Sequence, residues 1–138
     1  MKAHRDFITI TTAAKLEVRD ITREVSQIIA KSGVQEGIVL LFPHHTSAAV
    51  YVSDSDATLT EDFMALMERL IPAGAVYKHD LSDAKQNARA HLMSLLSGHN
   101  LTLPVTEGGL DLGVYQTIYY AEFDGMREKT ILVKVVGE

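Results

Sequence analysis

The stretch LFPHHTSAAVYVSDSD, residues 41–56, connects two apolar runs through a short polar segment. The run GIVLLF, which ends inside it, and the run AAVYVS have the length and content of buried strands. The sequence therefore predicts two central strands joined by PHHTS. Because this connection contains two adjacent histidines and two hydroxyl residues, it is the first place to expect functional side chains.

Further strands are predicted on both sides of this stretch. DFITITT alternates in the manner of a strand, and LEVRDI is predicted to pair with it after the turn AAK. The last third, LTLPVTEGG, VYQTIYYAEFDG and KTILVKVVGE, indicates strands separated by Gly-Gly and Asp-Gly turns. Strands and helices do not alternate regularly, so the sequence predicts an α+β fold with mainly antiparallel β-sheets packed with about three helices.

The first helix is predicted in DITREVSQIIAKSG, beginning at Asp20 or Thr22. It is predicted to end at Gly33, because glycine adopts the left-handed backbone conformation of a helix end with little steric cost. A second is predicted in TLTEDFMALMERL, with Thr58 and Glu61 as a capping box. AKQNARAHLMSLLSG predicts a third. The expected buried face of the second helix carries Leu59, Phe63, Leu66, Met67 and Leu70. That of the third carries Ala88, Leu92, Leu95 and Leu96.

Length and composition limit the classes of function. A chain of 138 residues has the usual size of one domain, here residues 1–138, and its net charge of -5 argues against nucleic-acid binding. The start lacks the apolar core of a signal peptide and no apolar run is long enough to cross a bilayer, so we expect a cytoplasmic protein without membrane association. Without cysteine, any metal must use imidazole and oxygen ligands.

Three histidines are candidate metal ligands. His45 ends a strand, His79 lies in a loop, and His91 lies on the inward-looking side of the third helix. Together they could form a facial set of nitrogen ligands for a divalent metal ion, zinc or magnesium, with positions left for water or substrate. For each histidine taken alone, a packing or surface role is favoured over a ligand role. His45 is preferred to His44, because neighbours in extended backbone face opposite ways unless Pro43 has already broken the strand.

Oxygen-bearing side chains add further candidates. Thr46 and Ser47 could donate to a phosphate, or they could satisfy local backbone. Asp54 and Asp56 could bind a hard cation or cap the second helix, and capping is favoured for Asp56, which leaves Asp54 as the functional candidate. Glu122, if it faces inward, needs a partner and could act as a base, but strand parity does not decide its direction.

Several separated segments then agree with one known family. PHHTSAAV, YKHD, NARAH and VTEGGLDLGVYQTIYYAEFDG occur in this order over nearly the full length, and the chain resembles the YjbQ-type secondary thiamine-phosphate synthase family. The resemblance implies packed β-sheets, a homotrimer, and histidines gathered around a metal or anion. By matching position, it implies roles for His45 with Thr46 and Ser47, His79, His91, Gly113, Gln116, Glu122 and Arg127.

The activity implied by the resemblance is the coupling of a pyrimidine pyrophosphate to a thiazole phosphate with release of pyrophosphate. The three histidines would then hold a metal or leaving-group oxygens, Asp54 or Glu122 would orient metal-bound water, and Arg127 would contact phosphate. The same residues could serve a metal-assisted hydrolase of a small ester or phosphoester, with Glu122 as base. A third alternative is a non-catalytic module that binds an anion or small molecule.

Overall fold

A computed structural model describes all 138 residues. Eight strands and four helices follow one another along the chain. Their bounds are β1 Lys2–Thr11, β2 Glu17–Asp20, α1 Thr22–Ser32, β3 Gly37–Pro43, β4 Ala48–Asp54, α2 Ala57–Leu70, α3 Lys78–Ser82, α4 Ala88–Ser97, β5 Leu101–Thr106, β6 Gly109–Leu110, β7 Gln116–Glu122 and β8 Glu128–Gly137. None of the four helices is both long and apolar enough to traverse a bilayer.

The strands form two antiparallel sheets. The larger has the order β1-β8-β3-β5-β6 and the smaller the order β2-β7-β4. Alternate residues of the central strand β8, Ile131, Val133 and Val135, are fully buried, as are Ile118 and Tyr120 of β7 in the smaller sheet. Side chains of both sheets belong to one cluster of 18 buried residues, to which α1 adds its apolar stripe. The predicted α+β class with mainly antiparallel sheets in one compact domain is confirmed.

The outer face of the smaller sheet is buried as well. Ala49 and Ala121 point away from the main core and meet Met67 of α2 and Met93 of α4 in a second, seven-residue cluster. Small alanine side chains allow the helices to approach the sheet closely. The strand β7 is therefore covered on both faces.

Three chain crossings between the sheets gather at one end of the sandwich. Residues 12–16 connect β1 to β2, residues 44–47 connect β3 to β4, and residues 123–127 connect β7 to β8. The register places them together, because Thr11 pairs with Glu128, while Glu17 and Ala48 both pair with Glu122. This end of the molecule therefore contains the irregular backbone that can present side chains to a ligand.

Two strand predictions were wrong in their pairing. LEVRDI does form a strand, but β2 pairs with β7 rather than with β1, because residues 12–16 cross to the other sheet instead of making a hairpin. The strand β4 is an edge strand of the smaller sheet, not a central one.

The helix starts are also corrected in detail. The cap of α2 is Asp56, whose Oδ1 accepts from the Thr58 backbone N–H at 2.9 Å, so the predicted capping box of Thr58 and Glu61 does not form. Gly33 ends α1 with φ of 73°, as predicted. The segment around His79 forms the five-residue helix α3, which was expected to be a loop.

The predicted buried faces of α2 and α4 were largely wrong. In α2 only Met67 is buried, and in α4 the buried residues are Ala88, Ala90, Met93 and Ser94. The smaller side chains of α4 face the sheet because they permit close contact, and Ser94 Oγ donates to the Ala48 carbonyl at 2.6 Å. The leucines of both helices instead remain exposed: Leu59, Leu66, Leu70, Leu92, Leu95 and Leu96.

We predict that Gly125→Ala destabilises the protein by about 2–4 kcal/mol. A Cβ at Gly125 would overlap Thr12 Oγ1 and lie 2.5 Å from the Ala14 carbonyl oxygen, so two crossings would have to separate. Urea denaturation measures the change. Gly74→Ala is the matched control, since a Cβ there meets nothing within 4 Å. Equal stability of the two variants would show that the crossings are not tightly packed.

Candidate functional site

An open polar cleft of about 440 Å³ lies where the crossings meet, and none of its eleven lining residues is hydrophobic. Residues 44–47 form one wall, Asn87 and His91 of the α4 region form another, and residues 127–129 complete it. Of the two adjacent histidines, both His44 and His45 line the cleft, although only one was expected to do so. The strand ends at Pro43, so the alternation that would separate the two rings no longer applies.

A buried ion pair lies at the base of this cleft. Lys129 and Glu122 are only 4% and 1% exposed, and Lys129 Nζ donates to Glu122 Oε2 at 2.9 Å. The ammonium also donates to Ser47 Oγ at 3.1 Å and to the Asp124 carbonyl at 3.2 Å, which uses all three of its N–H bonds. Glu122 also accepts from the Tyr120 hydroxyl at 2.6 Å. Both charges are thus paired and hydrogen-bonded, as burial requires.

Asp124 joins three parts of the site. Its carboxylate accepts from Lys15 Nζ at 3.0 Å, Asn87 Nδ2 at 2.9 Å and the Arg127 guanidinium at 2.6 Å. Burial alone would raise the pKa of Asp124, but the hydrogen bonds from Asn87 and Lys15 and the charge of Arg127 hold it below its usual value. Asp124 therefore stays ionised and fixes Arg127 at the edge of the cleft.

His45 has a defined tautomer. Its Nε2 accepts the Thr130 backbone N–H at 2.9 Å, so the proton of the neutral ring is on Nδ1. Burial, followed by the charge of Lys129, lowers the pKa of His45 below 6.5, which agrees with a neutral ring. His45 lines the cleft, and its Nδ1–H is not used by the protein, so it can donate to an oxygen of a ligand.

His79 and His91 come together as predicted, with ring centroids 4.9 Å apart. Asn87 Nδ2 donates to the Asp124 carboxylate, so its Oδ1 faces the two rings, 3.2 Å from His79 Nε2 and 3.1 Å from His91 Nε2. His91 Nδ1 also lies 2.9 Å from the Thr46 carbonyl. Both nitrogens of His91 therefore lie at hydrogen-bonding distance from an oxygen.

The predicted metal set does not fit this arrangement. No group of three or more histidine, aspartate or glutamate side chains is placed to hold a metal ion. His45 Nε2 is occupied by a backbone N–H, and both nitrogens of His91 face oxygens at hydrogen-bonding distance.

The remaining predicted residues lie in three different places. Thr46, Ser47 and Arg127 line the cleft. Asp54 and Gln116 pair with each other at the far ends of β4 and β7, about 20 Å along the strands from the cleft. Glu122 does face inward, but its partners are Lys129 and Tyr120, and it does not line the cleft.

Sequence reasoning missed three important residues: Lys129, Asp124 and Asn87. A signal for Lys129 was present, since it shares the parity of Ile131, Val133 and Val135, which marks an inward-facing charge on a buried strand. Asp124 was interpreted only as part of a turn. Its 37-residue separation from Asn87 gives no local pattern by which the contact could be found.

We predict that His45 makes the protein less stable as the pH falls from about 7 to about 5. The folded pKa is lowered, so the unfolded chain takes up the proton first, and stability is lost as pH falls below the usual value of 6.5. His45→Gln keeps an acceptor for the Thr130 N–H but cannot be protonated, so its stability should fall less. Urea denaturation at several pH values measures the difference.

The control for this measurement is His99→Gln, which removes an exposed imidazole at the end of α4. This variant should lose as much stability on acidification through His45 as the unsubstituted protein does. A loss of stability on acidification that is the same for His45→Gln and the unsubstituted protein would contradict a buried, neutral His45.

Known proteins resemble this chain over its full length. A protein of Methanothermobacter thermautotrophicus described as a UPF0047 protein is 34% identical over 138 residues, covering 100% of this chain and 95% of its own. Another from Archaeoglobus fulgidus is 38% identical over 129 residues, covering 94% and 98%. The crystal structure of a YbjQ-like protein of unknown function from Sulfolobus solfataricus superposes with a TM-score of 0.94 at 38% identity, covering 99% of both chains.

The profile of the family described as "UPF0047 protein YjbQ-like" matches residues 6–138. This match includes every element that lines the cleft, from the crossing after β1 to the end of β8. The expected family resemblance is confirmed: the chain belongs to the YjbQ-like UPF0047 family.

Proposed function

We propose that this protein is an enzyme with thiamine-phosphate synthase-type activity, acting on small phosphorylated substrates in the polar cleft. The supporting observation is a cleft without hydrophobic lining that brings Lys85, Arg127 and the His45 region together. Cationic and N–H donors in a concave site suit phosphate oxygens. The identity of the reaction rests on the family resemblance.

The proposed reaction needs charge stabilisation more than proton transfer. The bond between the pyrimidine methylene carbon and the pyrophosphate oxygen breaks, and the electron pair leaves with pyrophosphate. The thiazole nitrogen forms a new bond to the same carbon, and no proton has to leave that nitrogen. Donors fixed near the departing oxygens lower the barrier because negative charge develops there.

Three groups of this chain would provide that stabilisation. Arg127 is held by Asp124, His45 offers its Nδ1–H, and Ser47 accepts from Lys129, which leaves its hydroxyl hydrogen free to donate to a ligand. Lys129 itself has no free N–H bond, so it acts by positioning Ser47. Glu122 is likewise a positioning residue, since its carboxylate is fully engaged below the cleft.

We predict that Arg127→Ala lowers kcat/KM for thiamine phosphate formation by about 10- to 1000-fold, because one phosphate-binding cation is lost. Coupled detection of pyrophosphate and of thiamine phosphate measures both products. Arg23→Ala, on the exposed side of α1, is the matched control and should retain full activity. Activity of Arg127→Ala equal to that of the control would remove Arg127 from the reaction.

The same assay tests the predicted divalent metal. It is run after treatment with EDTA and again after zinc or magnesium is added back. Activity that survives EDTA would agree with the side-chain arrangement described above. Activity that returns only with metal would show that the reaction requires a divalent ion, bound either by the protein or by the pyrophosphate of the substrate.

The donors that line the cleft would also suit a non-catalytic alternative. Glu122, Lys129 and Asp124 all have protein partners, so no unengaged buried base lies beside the cleft. A module that captures a phosphorylated molecule without turnover would need only the donors. Binding of pyrophosphate with no product in the assay would select this alternative. A hydrolase that uses Glu122 as its base is disfavoured, because that carboxylate is ion-paired to Lys129.

We also propose that the protein is a homotrimer that works in the cytoplasm. The support for self-association is the exposed apolar face of α2, where Leu66 and Leu70 are 40% and 56% exposed. Sedimentation equilibrium should give about three times the chain mass of 15.2 kDa. Leu66→Asp should weaken the association because it places a charge on an apolar face, whereas Arg23→Asp should not. A monomer at 50 µM, a concentration of the order used in such runs, would contradict the proposal.

A further inference from the structure

We propose that Lys85 is the residue by which the cleft distinguishes a diphosphate from a monophosphate. The inference rests on the proposed function and adds to it the basis of a choice between the two substrates. The reaction joins a molecule that carries a diphosphate to one that carries a single phosphate, so the cleft has to accept the first in preference to the second. Lys85 lines the cleft and is available for this role.

Lys85 is the one cation of the cleft whose charge is not paired with a carboxylate of the protein. The other two cationic side chains in the lining are Arg127 and Lys129. Arg127 lies 2.6 Å from the Asp124 carboxylate. Lys129 lies 2.9 Å from that of Glu122. The Lys85 ammonium forms neither an ion pair nor a hydrogen bond, so it can bind an anionic ligand without the loss of an existing contact.

A short turn holds the backbone of Lys85 beside the cleft. Asp83 Oδ1 accepts the Lys85 backbone N–H at 2.9 Å, and the Asp83 carbonyl accepts the Gln86 N–H at 3.1 Å. Gln86 adopts a left-handed conformation with φ of 50°, which is uncommon for residues other than glycine and is often found at functional sites. Asn87, the next residue, is bonded to Asp124. The start of the Lys85 side chain is thus fixed, while its flexible stem can follow a ligand.

The donors extend from the base of the cleft to its mouth. Ser47 is only 4% exposed and bonds to Lys129 at the base, whereas Lys85 is exposed. The cleft of about 440 Å³ has the size of a site for a whole small molecule, so it has room for more than one phosphate group. A first phosphate held by the inner donors leaves a second one toward the mouth, where Lys85 lies.

Carboxylates in the lining make the charge of Lys85 decisive. Asp83 and Glu128 line the cleft together with the three cations. Asp83 Oδ2 lies 3.2 Å from His79 Nε2, but Glu128 forms no ion pair and repels an approaching anion. Without Lys85, the cations and the carboxylates of the lining would be equal in number. A diphosphate carries more negative charge than a monophosphate, so it gains more from the additional cation.

The test measures the binding of inorganic pyrophosphate and of inorganic phosphate by isothermal titration calorimetry on the full chain. Low ionic strength is used, because salt screens an exposed lysine. Lys85→Gln should weaken the binding of pyrophosphate about tenfold and that of phosphate by less than about twofold. Lys85→Arg should keep the preference for pyrophosphate, since it keeps the charge.

Lys78→Gln is the matched control. It removes the same charge from an exposed lysine of α3 that does not line the cleft, so both affinities should stay unchanged. Because the Lys85 side chain has no partner in the protein, all three variants should unfold at the same urea concentration as the unsubstituted protein. A lower midpoint for Lys85→Gln alone would reveal a structural contact and contradict a free cation.

The outcomes separate this inference from the proposed function. If neither pyrophosphate nor phosphate binds the unsubstituted protein, the phosphate cleft and the role of Lys85 fall together. If both bind with equal affinity, only the role of Lys85 is overturned. The same holds if Lys85→Gln matches Lys78→Gln, or if it weakens the binding of both anions to the same degree.

Discussion

The ion pair between Lys129 and Glu122 joins the two sheets at the end where the cleft opens. Lys129 belongs to the larger sheet and Glu122 to the smaller one, and neither side chain reaches bulk water. Removing one charge would leave the other buried without a partner, which costs several kcal/mol, about 3–5. The pair therefore specifies how the sheets meet. The hydrogen bond from Lys129 Nζ to Ser47 Oγ extends this constraint to the wall of the cleft.

A second network extends the constraint to the helices. The Nδ2 group of Asn87 donates to the Asp124 carboxylate. Its Oδ1 lies at hydrogen-bonding distance from the rings of His79 and His91. The turn between β7 and β8 is thereby connected to α3 and α4. Because carboxylate, amide and imidazole have complementary donor and acceptor roles, the direction of each hydrogen bond is defined. The cleft is thus built from fixed groups, which is the condition for strong electrostatic stabilisation of a charged ligand.

The sequence was sufficient for most elements and for part of the site. Apolar alternation and glycine turns located the strands, and His79 and His91 were correctly expected to meet. Alternation could not decide the direction of Glu122 because both faces of β7 are buried, one against the larger sheet and one against the helices. The leucine stripes of α2 and α4 indicated amphipathic helices but not what the stripes face, and within one chain they face solvent.

The antiparallel pairing of β1 with β8 also decides where the chain ends lie. Lys2 pairs with Gly137, ten residues along each strand from the crossings, which is about 30 Å from the cleft. The terminal amine approaches the Glu138 carboxylate at 3.5 Å. A purification tag, a surface anchor or a fused protein attached at either end would emerge side by side with the other terminus and leave the ligand entrance unobstructed.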